Sequence, residues 1–206
     1  RRICECLGAN LQWLWIPFVP IAIATAFYWT HIYHWAAPGV ADEGSKYYDE
    51  IIAHKAAYLN VPFWLIRAVV LFGVWYLLSR FFLRTSIRQD ESGDPRLTIR
   101  MESLAALGLL LYAVTQTGAA IDWVMSLEAH WFSTMYPVWF FACGACGFFA
   151  VLIIIAKLLQ RSGRVVNEIT VEHYHDMGKL LFAFGVVFWA YISFSQMMLL
   201  WYANIP

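Results

Sequence analysis

Charge is what this sequence has least of. Only 14% of its residues are Asp, Glu, Lys or Arg, against about a quarter in a water-soluble domain. That is too little polar material to cover a surface in water, so the chain reads as one whose solvent is lipid. The few charges also cancel, 14 basic against 14 acidic, and with no basic field no nucleic-acid partner is expected. Cysteine is scarce. Cys4 and Cys6 are two isolated thiols near the start, and Cys143 and Cys146 are followed by Gly147 rather than histidine, so they form no c-type haem attachment site. No spacing suits zinc or an iron–sulfur cluster. Histidine is missing from the middle of every apolar run: residues 31, 34, 54, 130, 173 and 175 all fall at run ends or in connections. That argues against a haem held between helices, and no cofactor is expected in this chain. A cleavable signal peptide is not visible either, since Arg1-Arg2 leads into Cys4-Glu5-Cys6 with no small-residue cleavage site before the first run.

What is present is apolar length. The chain is 61% hydrophobic, and five runs, near 9–30, 61–83, 103–124, 134–157 and 179–203, reach the roughly 20 residues a membrane-crossing helix needs. The expected class is an all-α integral membrane protein, a single polytopic helix bundle over residues 1–206 with five spans. "RRICECLGAN" at one end and "WYANIP" at the other read as a segment of a longer chain. Pro17 and Pro20 predict a kink in the first span. The long connection 31–60 is expected to hold a short amphipathic helix starting at Gly44-Ser45, with Glu50, His54 and Lys55 on one side and Ile51 and Ile52 on the other. Asn60-Val61-Pro62 reads as a helix start, where a missing N–H does no harm. Along the third span Gly108, Leu111, Thr115, Gly118, Ala119 and Asp122 share one face, a small-residue stripe that lets a neighbour approach closely and directs Asp122 inward. Small residues recur in "FACGACGFF" of the fourth span and at Gly178, Gly185, Ser193 and Gln196 of the fifth.

Lys and Arg predict the orientation. Arg1 and Arg2, then Arg84, Arg88, Arg96 and Arg100, then Lys157, Arg161, Arg164 and Lys179 mark alternate connections, while 31–60 holds only Lys46 and Lys55 and 122–133 holds neither residue type. The positive-inside rule then puts the amino end in the cytoplasm and the carboxyl end in the periplasm.

Against this background the polar residues stand out. "IDWVMSLEAHWFSTMYP" (121–137) carries Asp122, Glu128 and His130 at a membrane edge. Carboxylates and imidazole there are suited to proton handling beside a redox or transport site; an interfacial loop flanked by Trp123 and Trp131 as an aromatic belt is the plainer reading. Arg67 lies about two turns inside the second span and needs a partner, which Asp122 or Glu128 can supply. An ion pair joining two helices is one reading, and a charge that binds a quinone carbonyl or tunes an acid is another. "HYHDMGK" (173–179) supplies His173, His175, Asp176 and Lys179 at the cytoplasmic start of the fifth span. These read as a proton-entry route, or as a helix cap by Asp176 with a basic anchor.

Three stretches, "HKAAYLNVPFWLIRAV" (54–69), "IDWVMSLEAHWFSTMY" (121–136) and "HDMGKLLFAFGVVFWAYISFSQMMLLWYANIP" (175–206), resemble in that order a membrane-embedded component of bacterial alternative complex III, the one that sits beside the main quinol-binding component. That assembly is a quinol:electron-acceptor oxidoreductase whose acceptor is cytochrome c or a blue copper protein. The resemblance covers most of the chain from about residue 50 onward. It implies an NrfD-like protein of the bacterial inner (plasma) membrane, with further spans and with quinol or quinone as its ligand. It also implies lipid contacts, a related quinol-binding membrane partner, and haem c and iron–sulfur clusters on periplasmic partners. Asp122, Glu128, His130 and Arg67 would then face the side where quinol is oxidised. The alternative is a secondary transporter or ion channel with Arg67 and Asp122 lining its path; an inverted-repeat transporter would show similarity between its halves, and none is seen here. The topology is testable directly: a cysteine introduced at Glu128 should react with a membrane-impermeant maleimide from the periplasmic side, and labelling from the cytoplasmic side alone would reverse the orientation.

Overall fold

A computed structural model describes residues 2–29 and 31–204. Helix makes up 76% of the chain and no strand occurs among the described residues. Backbone groups in the apolar runs are therefore paired within their own helices, the condition for crossing lipid. Among the described residues five helical stretches are long and apolar enough to cross a membrane: Arg2–Ala26, Val61–Ser92, Arg96–Leu127, Tyr136–Arg161 and Val171–Tyr202. Their apolar side chains face outward. Val69 and Val114 are each 72% exposed, and apolar surface on that scale belongs against lipid rather than water. The chain is a helical membrane protein of two compact units, Arg1–Ser133 and Thr134–Pro206.

In the first unit, α1 (Arg2–Gly8) and α2 (Trp15–Ala26) share the first span, with a 3-10 turn, Ala9–Gln12, between them. The irregularity falls earlier than a kink centred on the two prolines. Pro17 has no N–H to give the Trp13 carbonyl, four residues back, and its ring crowds it. That carbonyl accepts from Ile16 N at 3.0 Å instead. Ser79 Oγ donates to the Gly8 carbonyl at 2.8 Å and Gln12 Nε2 donates to Ser79 Oγ at 3.2 Å, so the neighbouring helix satisfies the broken segment. Helix α2 stops at Ala26, short of the expected 30.

Helices α4 (Val61–Ser92) and α5 (Arg96–Ala119) form a long hairpin. Both run past the apolar boundaries at 83 and 103, so Arg84, Arg88, Arg96 and Arg100 lie on helices rather than in a loop. Hydropathy marks only the lipid-facing length, and arginine is a good helix former. The turn comes where Gly93 takes φ +63° as a C-cap and Pro95 precedes α5. The stripe on α5 packs as expected at Gly108, whose missing Cβ leaves room for Phe82, and at Gly118, which faces Leu71. Leu111 is the exception: it is exposed and lies off the packed face. Asn60 caps α4 through the N–H of Phe63, with Pro62 in the first turn.

The connection before α4 folds over the end of the hairpin. Its short helix α3 is Glu50–Lys55, starting at Asp49 rather than Gly44-Ser45, because Asp49 Oδ1 accepts the N–H groups of both Ile51 and Ile52. Ile52 is buried with Tyr33, Trp35, Val40, Leu59, Trp64 and Ala129, whereas Ile51 is exposed.

The second unit holds α6 (Tyr136–Arg161), α7 (Val171–Leu180), a π-helical stretch Leu181–Val187 and α8 (Phe188–Tyr202). The last span begins eight residues before the expected 179, so Asp176 is not its cap. Thr170 holds that position, and His173 Nδ1 accepts the Thr170 N–H at 3.1 Å. Of the small residues expected to pack, Gly178 has open space around it, while a Cβ on Gly185 would lie 2.8 Å from Cys146 Cα. The small-residue contact of "FACGACGFF" is thus Cys146 against Gly185, and Trp139 Nε1 donates to Ser193 Oγ at 3.0 Å alongside it. Because the clash is with backbone, Gly185→Ala should lower stability by about 1–3 kcal/mol, read as a lower unfolding midpoint in detergent, while Gly178→Ala should leave it unchanged or raise it.

Candidate functional site

The site lies at the end of the first unit where the connection 31–60 meets the residues after α5. Asp122 sits in a π-helical turn, Ala120–Val124, that continues α5. Widening of the helix there disturbs the regular hydrogen bonding, and side chains fill in: the Asp122 carbonyl accepts from Trp64 Nε1 at 2.8 Å and Ser126 Oγ at 2.6 Å. The Asp122 side chain is 1% exposed. A carboxylate so buried needs partners, and among the described residues it has two. Arg67 Nε donates to Oδ2 at 2.6 Å, and the Tyr58 phenol donates to Oδ1 at 2.7 Å.

Arg67 is held as firmly. Its Nη1 donates to the Tyr58 carbonyl at 3.0 Å. The guanidinium carbon lies 3.9 Å from the Tyr58 ring centre and 4.4 Å from that of Phe63, inside the reach of cation–π attraction. Nη2 is buried with no acceptor among the described residues. Of the two acids open to Arg67, the structure selects Asp122, and the pair joins α4 to the end of α5. Burial and the Asp122 carboxylate push the Tyr58 phenol up to about 12, so the phenol keeps the proton it donates at any physiological pH. Burial and the same carboxylate raise Tyr33 to about 12 as well; its hydroxyl donates to the Trp123 carbonyl at 2.9 Å.

Glu128 and His130 form a second cluster, with Asp49. His130 Nε2 lies 2.7 Å from Asp49 Oδ2, and Nδ1 lies 3.2 Å from Glu128 Oε1. The two clusters border one cavity of about 360 Å3, where Tyr58 stands on one wall and Glu128 on another, with Lys55, Met125, Trp131 and Phe132. A larger cavity of about 440 Å3 lies toward the other end of the unit, its lining mostly apolar apart from groups such as Glu5 and Glu102.

The four residues expected here therefore fall into two groups, Arg67 with Asp122 and Glu128 with His130. At the start of α7, His173 serves the helix terminus, Asp176 pairs with Lys179 at 3.3 Å, and His175 is exposed. Among the described residues no group of three or more His, Cys, Asp or Glu converges to hold a metal ion. Sequence reasoning missed Tyr58, Trp64, Asp49 and Lys55. Trp64 had a signal, since it precedes Arg67 by one helical turn on the same face; Tyr58 lies before the helix, where no periodicity applies. No protein-family model matches the chain, and no curated protein matches it.

The ion pair makes a stability prediction. Arg67→Met leaves an uncompensated buried carboxylate and should cost about 3–5 kcal/mol, measured by unfolding in nanodiscs. Adding Asp122→Leu should recover much of the loss; if the double variant is no better than the single one, the pair is not what the arginine serves.

Proposed function

We propose that the chain is a membrane component, without a redox cofactor of its own, of a quinol:electron-acceptor oxidoreductase of the alternative complex III type. In this reading it lies in a bacterial inner membrane with the site end toward the periplasm. Its partners are an NrfD-like quinol-binding protein and periplasmic proteins carrying haem c and iron–sulfur clusters. The observation that carries the reading is a buried carboxylate held by a largely buried guanidinium and a partly exposed phenol at the edge of membrane-crossing helices, next to a cavity walled by aromatic and polar side chains. Ligand pockets share that make-up, mainly apolar with a few placed polar groups.

Oxidation of a quinol by two electrons releases two protons, and those protons need acceptors on the side where they leave. Glu128 stands on the cavity wall and His130 is bonded to it, so a proton reaching Glu128 has a titratable neighbour leading outward. Asp122 reaches the same wall through the Tyr58 phenol. Arg67 holds that acid in place, and the larger part of its role is structural.

Two measurements test the proposal. The tagged chain should copurify from its native membrane with haem c and iron–sulfur proteins, and purification without them would overturn the assignment. In the assembled complex, Asp122→Asn should leave assembly intact while slowing quinol:acceptor turnover several-fold or shifting its pH profile. Normal turnover at every pH would make Asp122 purely structural.

A further inference from the structure

Cavity and histidine cluster share their walls. One wall is α3 with the residues after it, through His54, Lys55, Ala57 and Tyr58; the facing wall is the stretch Glu128–Phe132. Two contacts tie these walls together. Lys55 Nζ donates to the Ala129 carbonyl at 2.6 Å, and His130 reaches across to Asp49, the residue that caps α3. The second tie depends on protonation. A neutral imidazole has one N–H and one lone pair, yet both ring nitrogens of His130 face carboxylate oxygens. Only the imidazolium donates to both at once; deprotonation turns one contact into a lone pair against a carboxylate.

We propose that His130 is a pH-operated latch that tightens α3 against the 128–132 segment when protonated and loosens that side of the cavity when neutral. The charged and titratable groups around it are Asp49 in the turn before α3, the exposed Glu50–His54 pair and Lys55 on α3, and Glu128 on its own segment. Asp122 lies behind the cavity, already paired with Arg67. Hydrogen bonds to Asp49 and then to Glu128 hold His130 above its usual pKa. For Asp49, partial desolvation opposes ionisation, but the Ile52 N–H, His130 and the Ile51 N–H outweigh it and hold the carboxyl below its usual pKa. The signs set the window. A raised histidine supports the latch fully below its unfolded pKa and loses it as pH rises through the folded value. A lowered aspartate supports it above the unfolded pKa and loses it as pH falls through the folded value. The latch is closed from mildly acidic pH to above the ordinary histidine range, and opens on the alkaline side and again in strong acid. It needs only the cavity and its walls, whatever ligand the cavity takes.

The test uses the full chain in its membrane, carrying Met125→Cys inside the cavity and Glu43→Cys as an exposed reference, with labelling at each site resolved by mass spectrometry. The probe is a membrane-impermeant maleimide, and the ratio of the two rates removes the thiol's own pH dependence. The ratio should rise about threefold to tenfold as His130 loses its proton, with a midpoint above 6.5, the range expected for one exposed charge-assisted contact. His130→Gln should give a high ratio with no titration. Asp49→Asn, which keeps the helix cap, should move the midpoint down, and His54→Gln should leave it in place. A flat ratio in the native chain, or an unchanged profile in His130→Gln, would overturn the latch. Quinol turnover is not the readout, so failure of the oxidoreductase reading would leave these outcomes untouched.

Discussion

The structure of the first unit depends on the cost of keeping one carboxylate out of water. Asp122 is 1% exposed at the end of an apolar helix, where an isolated charge is very unfavourable. Everything near it answers that cost. Arg67 gives the countercharge, and the rings of Tyr58 and Phe63, set edge to face, both lie against the guanidinium. Trp64 and Ser126 satisfy the carbonyl released by the π turn. Because Arg67 is on α4, Asp122 beyond α5 and Tyr58 in the connection, satisfying the acid also fixes three separate pieces of chain. Such a pair is not in itself strong evidence of stability, since apolar residues of similar volume often do as well.

The connection 31–60 has a different kind of stability. It buries aromatic and aliphatic side chains around Trp64, so its inner part resembles a small soluble core set on the end of a membrane hairpin. Its outer part is held by polar ties, a part-buried one from Lys55 and an exposed one from His130. Exposed ion pairs contribute little each, so this rim is held less firmly than the core beneath it. A firmly packed floor with a loosely tied rim is an arrangement that lets a cavity exchange its contents without disturbing the helices beneath.

In the second unit the closest approach is made by the absence of a side chain. Gly185 meets Cys146 at a distance that no Cβ tolerates, and Gly185 lies within the π-helical stretch of the last span. In lipid there is little hydrophobic drive between helices, so such close backbone contact, with a polar bond like that of Trp139 to Ser193, supplies the attraction.

The helical membrane class was decided by composition and run length alone, because lipid admits so few backbone solutions. The stripe leading to Asp122 and the need of Arg67 for an acid were also legible, since both follow from helical period and the cost of buried charge. Most helix ends were not, although Asn60-Val61-Pro62 does start α4. Hydropathy reports where lipid begins, whereas α4 ends at a left-handed glycine and the last span starts at a Thr–His cap, both local hydrogen-bonding events. Gly178 and Gly185 look alike in one dimension, and only packing shows that one is needed and the other is not. The division of Asp122, Glu128 and His130 into two clusters, with Tyr58 and Asp49 as their partners, was decided by tertiary structure. Those partners come from more than 60 positions away, through a loop whose path no periodicity encodes.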